Sequence, residues 1–231
     1  MSWFETIQKI PIDDNYSLEL LETHDHTFIE QKHVRYFLKD NKTDTFSISA
    51  VIEGLISLGR KEITPGWIDI DIFPKVTINS NKIELDFQQL INIMEFLGKF
   101  LPQGGHIMFS YSMITGETEL HKETWISLQK GIPEALSPIG ELLVHAGAVS
   151  FKNWYFAEGA LEGNIKLQGN IPLNINDAKD KIRALIQEIE IFIDENRERK
   201  ERHIVKALER FERIRLILID KLQDPSNLSQ F

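Results

Sequence analysis

The sequence predicts an α/β protein: a mixed, mostly antiparallel sheet with helices on its faces, then a long C-terminal helix or helical hairpin. Three observations carry this. Alternating, β-branched segments fill the first 80 residues. Two amphipathic stretches bracket a further strand in the middle of the chain. No Gly or Pro interrupts residues 178–222.

In chain order, residues 2–9 suggest a weak amphipathic helix stopped by Pro11. Tyr16 to Glu22 and Val34 to Lys39 alternate as strands, and 41–44 (NKTD) carries turn residues. Thr45 to Leu58 predicts a long strand, bulged at Gly54. Trp67 to Phe73 (WIDIDIF) alternates almost perfectly, and Val76 to Ile78 continues the sheet beyond Pro74. Glu84 to Leu101 is the first strong helix, with Leu90, Ile93, Met94 and Leu97 on one stripe and Pro102 ending it. His106 to Ser112 predicts another strand, and Glu117 to Lys130 a second helix closed by Gly131.

The chain is organised around the stretch that follows. Ser137 is a candidate N-cap before Pro138, whose missing N–H suits a first helical turn. Leu142, Leu143 and Ala146 give that short helix an apolar face, and Gly147 stops it. Ala148 to Phe156 then predicts a strand, followed by a turn with a repeated acid–glycine pair, Glu158-Gly159 and Glu162-Gly163.

The last segment divides into two apolar stripes. Ile182, Leu185, Ile186, Ile189 and Ile193 mark one; Ile204, Leu208, Phe211, Leu218 and Leu222 mark the other. A polar run, DENRERKERH, separates them, with i,i+4 pairs Glu195–Arg199 and Glu198–Arg202. A continuous helix would reach roughly 68 Å, longer than such a domain is wide. With no turn-forming residue to mark a bend, an overhanging helix that pairs with a second copy is favoured over a hairpin. The predicted organisation is a domain at 1–175 and a helical extension at 176–231, with a homo-oligomer, a dimer, formed through the extension.

Composition limits the function. The chain has a formal net charge of −9 and no cysteine. Residues 178–222 carry +2 and the remainder −11. An acidic body repels phosphate backbones, which argues against nucleic acid as a partner. Without cysteine there is no disulfide, no thiolate metal ligand and no thiol nucleophile. No apolar run is long enough to span a membrane, and the first residues lack a signal-peptide pattern, so a cytoplasmic location is expected.

The candidate site lies in the central stretch. Glu158, Glu162 and Lys166 cluster beside Gly159 and Gly163, which would let a small-molecule ligand approach the backbone; a solvated hairpin loop is the competing explanation. Trp154 and Tyr155 alternate, so one would line a pocket and the other pack. His24, Asp25, His26 and His33 could ligate a metal, but polar loop residues are the simpler account, and no metal is predicted. Asp69 and Asp71 share a strand face. No G-x-S-x-G elbow supports a serine hydrolase.

The pattern SPIGELL…AG…FKNWYFAEG…EG…KLQG over 137–169 resembles a family of archaeal and bacterial proteins of unknown function that is similar in turn to the GNAT N-acetyltransferase superfamily. The resemblance implies a GNAT-like fold over residues 1–175 and acetyl-CoA as cofactor, held between two splayed middle strands, WIDIDIF and HIMFSYS. On it, Tyr111 would be the general acid for a leaving thiolate. Glu158 or Glu162 would orient or deprotonate an acceptor amine. Ser110 and Ser112 would hold the pantetheine arm, with Lys166 beside the cofactor and Trp154, Tyr155, Gly159 and Gly163 on the substrate. Phe73 to Glu84, where the superfamily carries a glycine-rich phosphate loop, contains no glycine. That departure supports the alternative: a non-catalytic ligand-binding or scaffold protein with a degenerate CoA site, assembling through its C-terminal helix.

Overall fold

The computed structural model describes residues 5–11, 14–23, 31–42, 45–57, 67–70, 75–78, 81–84, 87–98, 103–111, 119–155 and 165–223. Among them the chain is a mixed α/β protein. A four-stranded antiparallel meander comes first: β1 (Glu5–Pro11), β2 (Tyr16–Thr23), β3 (Gln31–Asp40) and β4 (Thr45–Ser57). A second sheet has the order β5 (Trp67–Ile70), β8 (His106–Tyr111), β10 (Ile165–Asn170), β9 (Ser150–Tyr155). β4 runs close to β5. Between β5 and β8 the chain makes a two-stranded ribbon, β6 (Lys75–Ile78) with β7 (Asn81–Glu84), and then α1 (Phe87–Gly98).

Several expectations change. The first residues pair as a strand, not a helix: Glu5 to Pro11 lies antiparallel to Ser17–Glu22. A short run such as TIQKI suits either period, and cross-strand partners decide it. In β4 the irregularities fall between Ile52 and Ala50 and between Ala50 and Phe46, while Gly54 sits in regular register with Val34. Val76 to Ile78 belongs to the separate ribbon and does not prolong the sheet. Glu84 ends β7, so the helix expected from Glu84 starts at Phe87.

The middle of the chain follows the local signals closely. α2 (Glu119–Gln129) ends before Gly131, which has φ 72°. A 3-10 turn at Glu134–Leu136 leads into α3 (Pro138–His145). Ser137 caps α3: its Oγ accepts from the Gly140 N–H at 3.0 Å, one of the orphan donors of a first helical turn. Ser137 Oγ also donates to the Glu134 carbonyl at 2.7 Å, which joins the 3-10 turn to the helix. Gly140 is required here because a Cβ would be driven into the Glu134 carbonyl oxygen.

The C-terminal segment is a hairpin, not an overhanging helix. α4 (Ile175–Asn196) and α5 (Arg202–Gln223) pack on each other. Asn174 caps α4 by accepting from the N–H groups of Asn176 and Asp177, and the Leu173 N–H donates back to Asp177 Oδ2 at 2.7 Å. At the other end Asn196 Nδ2 donates to the Phe192 carbonyl, and Arg199 donates from its backbone and its guanidinium to Asn196. These bonds stop the helix, so the i,i+4 pairs expected from Glu195 and Glu198 give way to Arg199–Glu201 and Arg197–Asp194.

The hairpin is driven by burial. Ile182, Leu185, Ile189 and Ile193 of α4 and Ile204, Phe211, Ile214 and Leu218 of α5 form one buried cluster with Leu136, Val144 and Val149. A straight helix would leave one stripe in water at about 1.5–3 kcal/mol per large side chain. The hairpin of α4 and α5 therefore supplies much of the core that covers α3. Gly140→Ala should lower unfolding free energy by about 2–4 kcal/mol, read as the urea midpoint; an unchanged midpoint would mean that the 3-10 turn and α3 are not packed this tightly.

Candidate functional site

The sheet brings the central-stretch residues to one end of three strands. β10 lies between β8 and β9, antiparallel to both. In one row of the register Ser110, Lys166 and Trp154 stand abreast; in the next, Tyr111, Ile165 and Tyr155 do. Five candidate residues, distant in sequence, thus fall in two adjacent rows. β5 pairs with β8 in parallel, and its last described partner is Ile70 with Phe109. Ser110 and Tyr111 lie beyond that pair, still in register with β10. Ser112, Glu158, Gly159, Glu162 and Gly163 lie outside the described residues, as do His24, Asp25, His26 and Asp71.

Behind these strands the helices form a network of charge. Glu141 on α3 has no exposed surface. Arg213 of α5 grips it with two bonds, Nε to Oε1 at 2.6 Å and Nη2 to Oε2 at 2.9 Å, and Arg210 Nε stands 3.7 Å away. Arg210 also donates to Glu123 Oε2 of α2 at 3.0 Å and to the Leu136 carbonyl at 3.4 Å. Glu123 pairs in addition with Lys206. Planar, bidentate geometry is what lets a carboxylate stay charged when buried. Burial pulls the Arg210 guanidinium down from its ordinary value while Glu141 pushes it up; for Arg213 the hydrogen bond it donates to Glu141 dominates and raises it.

None of Glu123, Glu141, Lys206, Arg210 and Arg213 is among the candidate residues read from the sequence. The signal was present: Arg202, Lys206 and Arg210 recur every four residues, which aligns three cations on one face of a helix. His145 Nδ1 stands 3.0 Å from Glu95 Oε1.

Lys221 closes the last turn of α3, donating to the Val144 carbonyl at 3.0 Å, where a cation also meets the negative end of the helix. Burial pulls its ammonium from 10.5 down to about 8, against the opposing pull of Glu95 and Asp220. Between these two values the unfolded chain holds a proton that the folded chain has released, so this group makes stability rise with pH across that window; below it the cost is constant. Urea midpoints should therefore climb from about pH 8 to 10.5, and Lys221→Met should flatten the climb. Equal slopes in the two proteins would show that the ammonium is solvated.

Comparison with known proteins agrees with this architecture. The structure is similar to the crystal structure of a protein of unknown function from Aquifex aeolicus VF5, at 23% identity and a TM-score of 0.54, covering 90% of this chain and 93% of that one. That likeness is one of fold. No curated protein matches the chain. The family described as a protein of unknown function (DUF1122) matches residues 14–196, more than half of the length, and the chain belongs to that family.

Proposed function

We propose that the chain is a GNAT-like acyltransferase that moves an acyl group from acyl-CoA to an amine. The observation that carries this reading is the parallel β5–β8 pair inside an otherwise antiparallel order, β5-β8-β10-β9, with α1 in the crossover. In the superfamily that the sequence resembles, acyl-CoA lies between two such strands where they separate. Ser110 and Tyr111 follow the last described β5–β8 pair on the strand that would line that opening.

The reaction assigned to these residues balances simply. The amine nitrogen attacks the thioester carbonyl, a C–N bond forms and the C–S bond breaks. Glu158 or Glu162 takes the proton lost by the amine, and Tyr111 gives one to the departing thiolate. Ser110 and Ser112 hold the pantetheine arm, Lys166 stands beside the cofactor, and Trp154, Tyr155, Gly159 and Gly163 receive the amine. Acetyl-CoA should raise the melting temperature by mass action, and Tyr111→Phe should slow thiol release by about 100-fold or more without abolishing the shift. No shift at millimolar CoA would overturn the reading.

One observation favours the second reading, a non-catalytic ligand-binding or scaffold protein. The sequence between β5 and α1 contains no glycine and includes the ribbon strands β6 and β7, and glycine is what allows backbone N–H groups to close on a pyrophosphate. On that reading the chain assembles as a dimer through exposed apolar side chains of the hairpin, Ile191 on α4 with Val205 and Leu216 on α5. Light scattering should then give twice the chain mass, and Leu216→Glu should halve it; a monomer at all concentrations would exclude this assembly.

A further inference from the structure

A cavity of about 230 Å³ lies between α2 and the first three turns of α5. Lys122 and Glu123 line it from α2; Arg202, His203, Lys206 and Arg210 line it from α5. Four cations and one carboxylate line it, in a protein whose formal charge is −9, and a second carboxylate, Glu141, stands 3.7 Å from Arg210 Nε. Such a concentration is expensive to assemble without a counter-charge, because like charges in a partly desolvated concavity repel. Glu123 offsets it in part, pairing with both Lys206 and Arg210. Two further features favour a ligand rich in acceptor oxygens. The N-terminus of α5, a 22-residue helix starting at Arg202, contributes its dipole, while Glu201 beside it is engaged by Arg199. His203 has a buried Nε2 with no hydrogen-bond partner among the described residues, and buried polar atoms ordinarily have one.

We propose that this cavity binds a small phosphate monoester through Lys122, Arg202, Lys206 and Arg210. Charge selects the class. A monocarboxylate would neutralise one cation, whereas a phosphate monoester brings about −1.5 to −2 and three acceptor oxygens that suit arginine forks and lysine ammonium groups. Size sets the upper limit. The volume falls below the roughly 300–1,000 Å³ of drug-sized ligand sites, so a phosphate with a short carbon chain fits and a whole dinucleotide does not. The acidic surface of the rest of the chain disfavours a nucleic-acid backbone as the source of the phosphate. The site lies on helices, not on the strand ends assigned to acyl transfer, and is independent of that reading.

Glu123 occupies the position of a competitor, holding two of the cations that the ligand would use. This gives the test two arms of opposite sign. Calorimetric titration of the full chain with glycerol 3-phosphate should show saturable binding, with acetate giving none. Arg202→Gln should weaken it about tenfold, since Arg202 is exposed and can be replaced without disturbing the core. Glu123→Gln, confirmed as folded by its thermal melt, should strengthen binding several-fold by freeing Lys206 and by removing one of the two carboxylates that hold Arg210. Absence of saturable binding at roughly 10 mM ligand, or equal affinities in wild type and both variants, would overturn the proposal.

Discussion

Glu141 carries a charge at a position with no solvent exposure, on a short helix whose other residues are almost all apolar or small. Left alone it would be intolerable: breaking a buried ion pair by removing one partner costs about 3–5 kcal/mol. Among the described residues its side-chain partners come from α5, with Arg213 lying 72 residues later in the chain. α3 therefore cannot be packed as seen unless α5 is docked over it. The same helix supplies Arg210 to the Leu136 carbonyl and Lys221 to the Val144 carbonyl, so three cations of α5 satisfy the polar groups around α3.

This constraint explains why the C-terminal hairpin is integral to the core. Apolar burial supplies the non-directional attraction, through Ile204, Phe211, Ile214 and Leu218. The ion pairs add direction, since Arg210 and Arg213, one turn apart on α5, both meet Glu141. α3 in turn rests on the sheet at Gly169, where a Cβ would collide with Ala148 and Leu143. A continuous line of contacts thus runs from α5 through α3 to β10, the strand that sets Tyr111 and Tyr155 on either side of Ile165.

The helical layer and the strand ends pose different chemical problems. At the strand ends, backbone register gathers side chains of mixed type, and the hypothesis rests on strand order. In the α2–α5 cavity, cations are concentrated against the trend of an acidic chain. The two places share no residue. α5 connects them structurally, because Arg210 both lines the cavity and stands over Glu141.

What the sequence determined was local. Ser137, Pro138 and Gly147 define α3 because a cap, a missing N–H and a residue at φ 101° act within one turn of the chain. The two stripes of the last segment were equally legible, since their period is that of a helix. Tertiary structure decided the rest. TIQKI became a strand because β2 offered it partners, and the polar run at 194–203 became a bend because both stripes had one core to enter. Likewise β10 came to lie between β8 and β9, which put Ser110, Lys166 and Trp154 abreast. Pairing and burial are interactions between residues far apart in the chain, and no local pattern specifies which distant partner will be there.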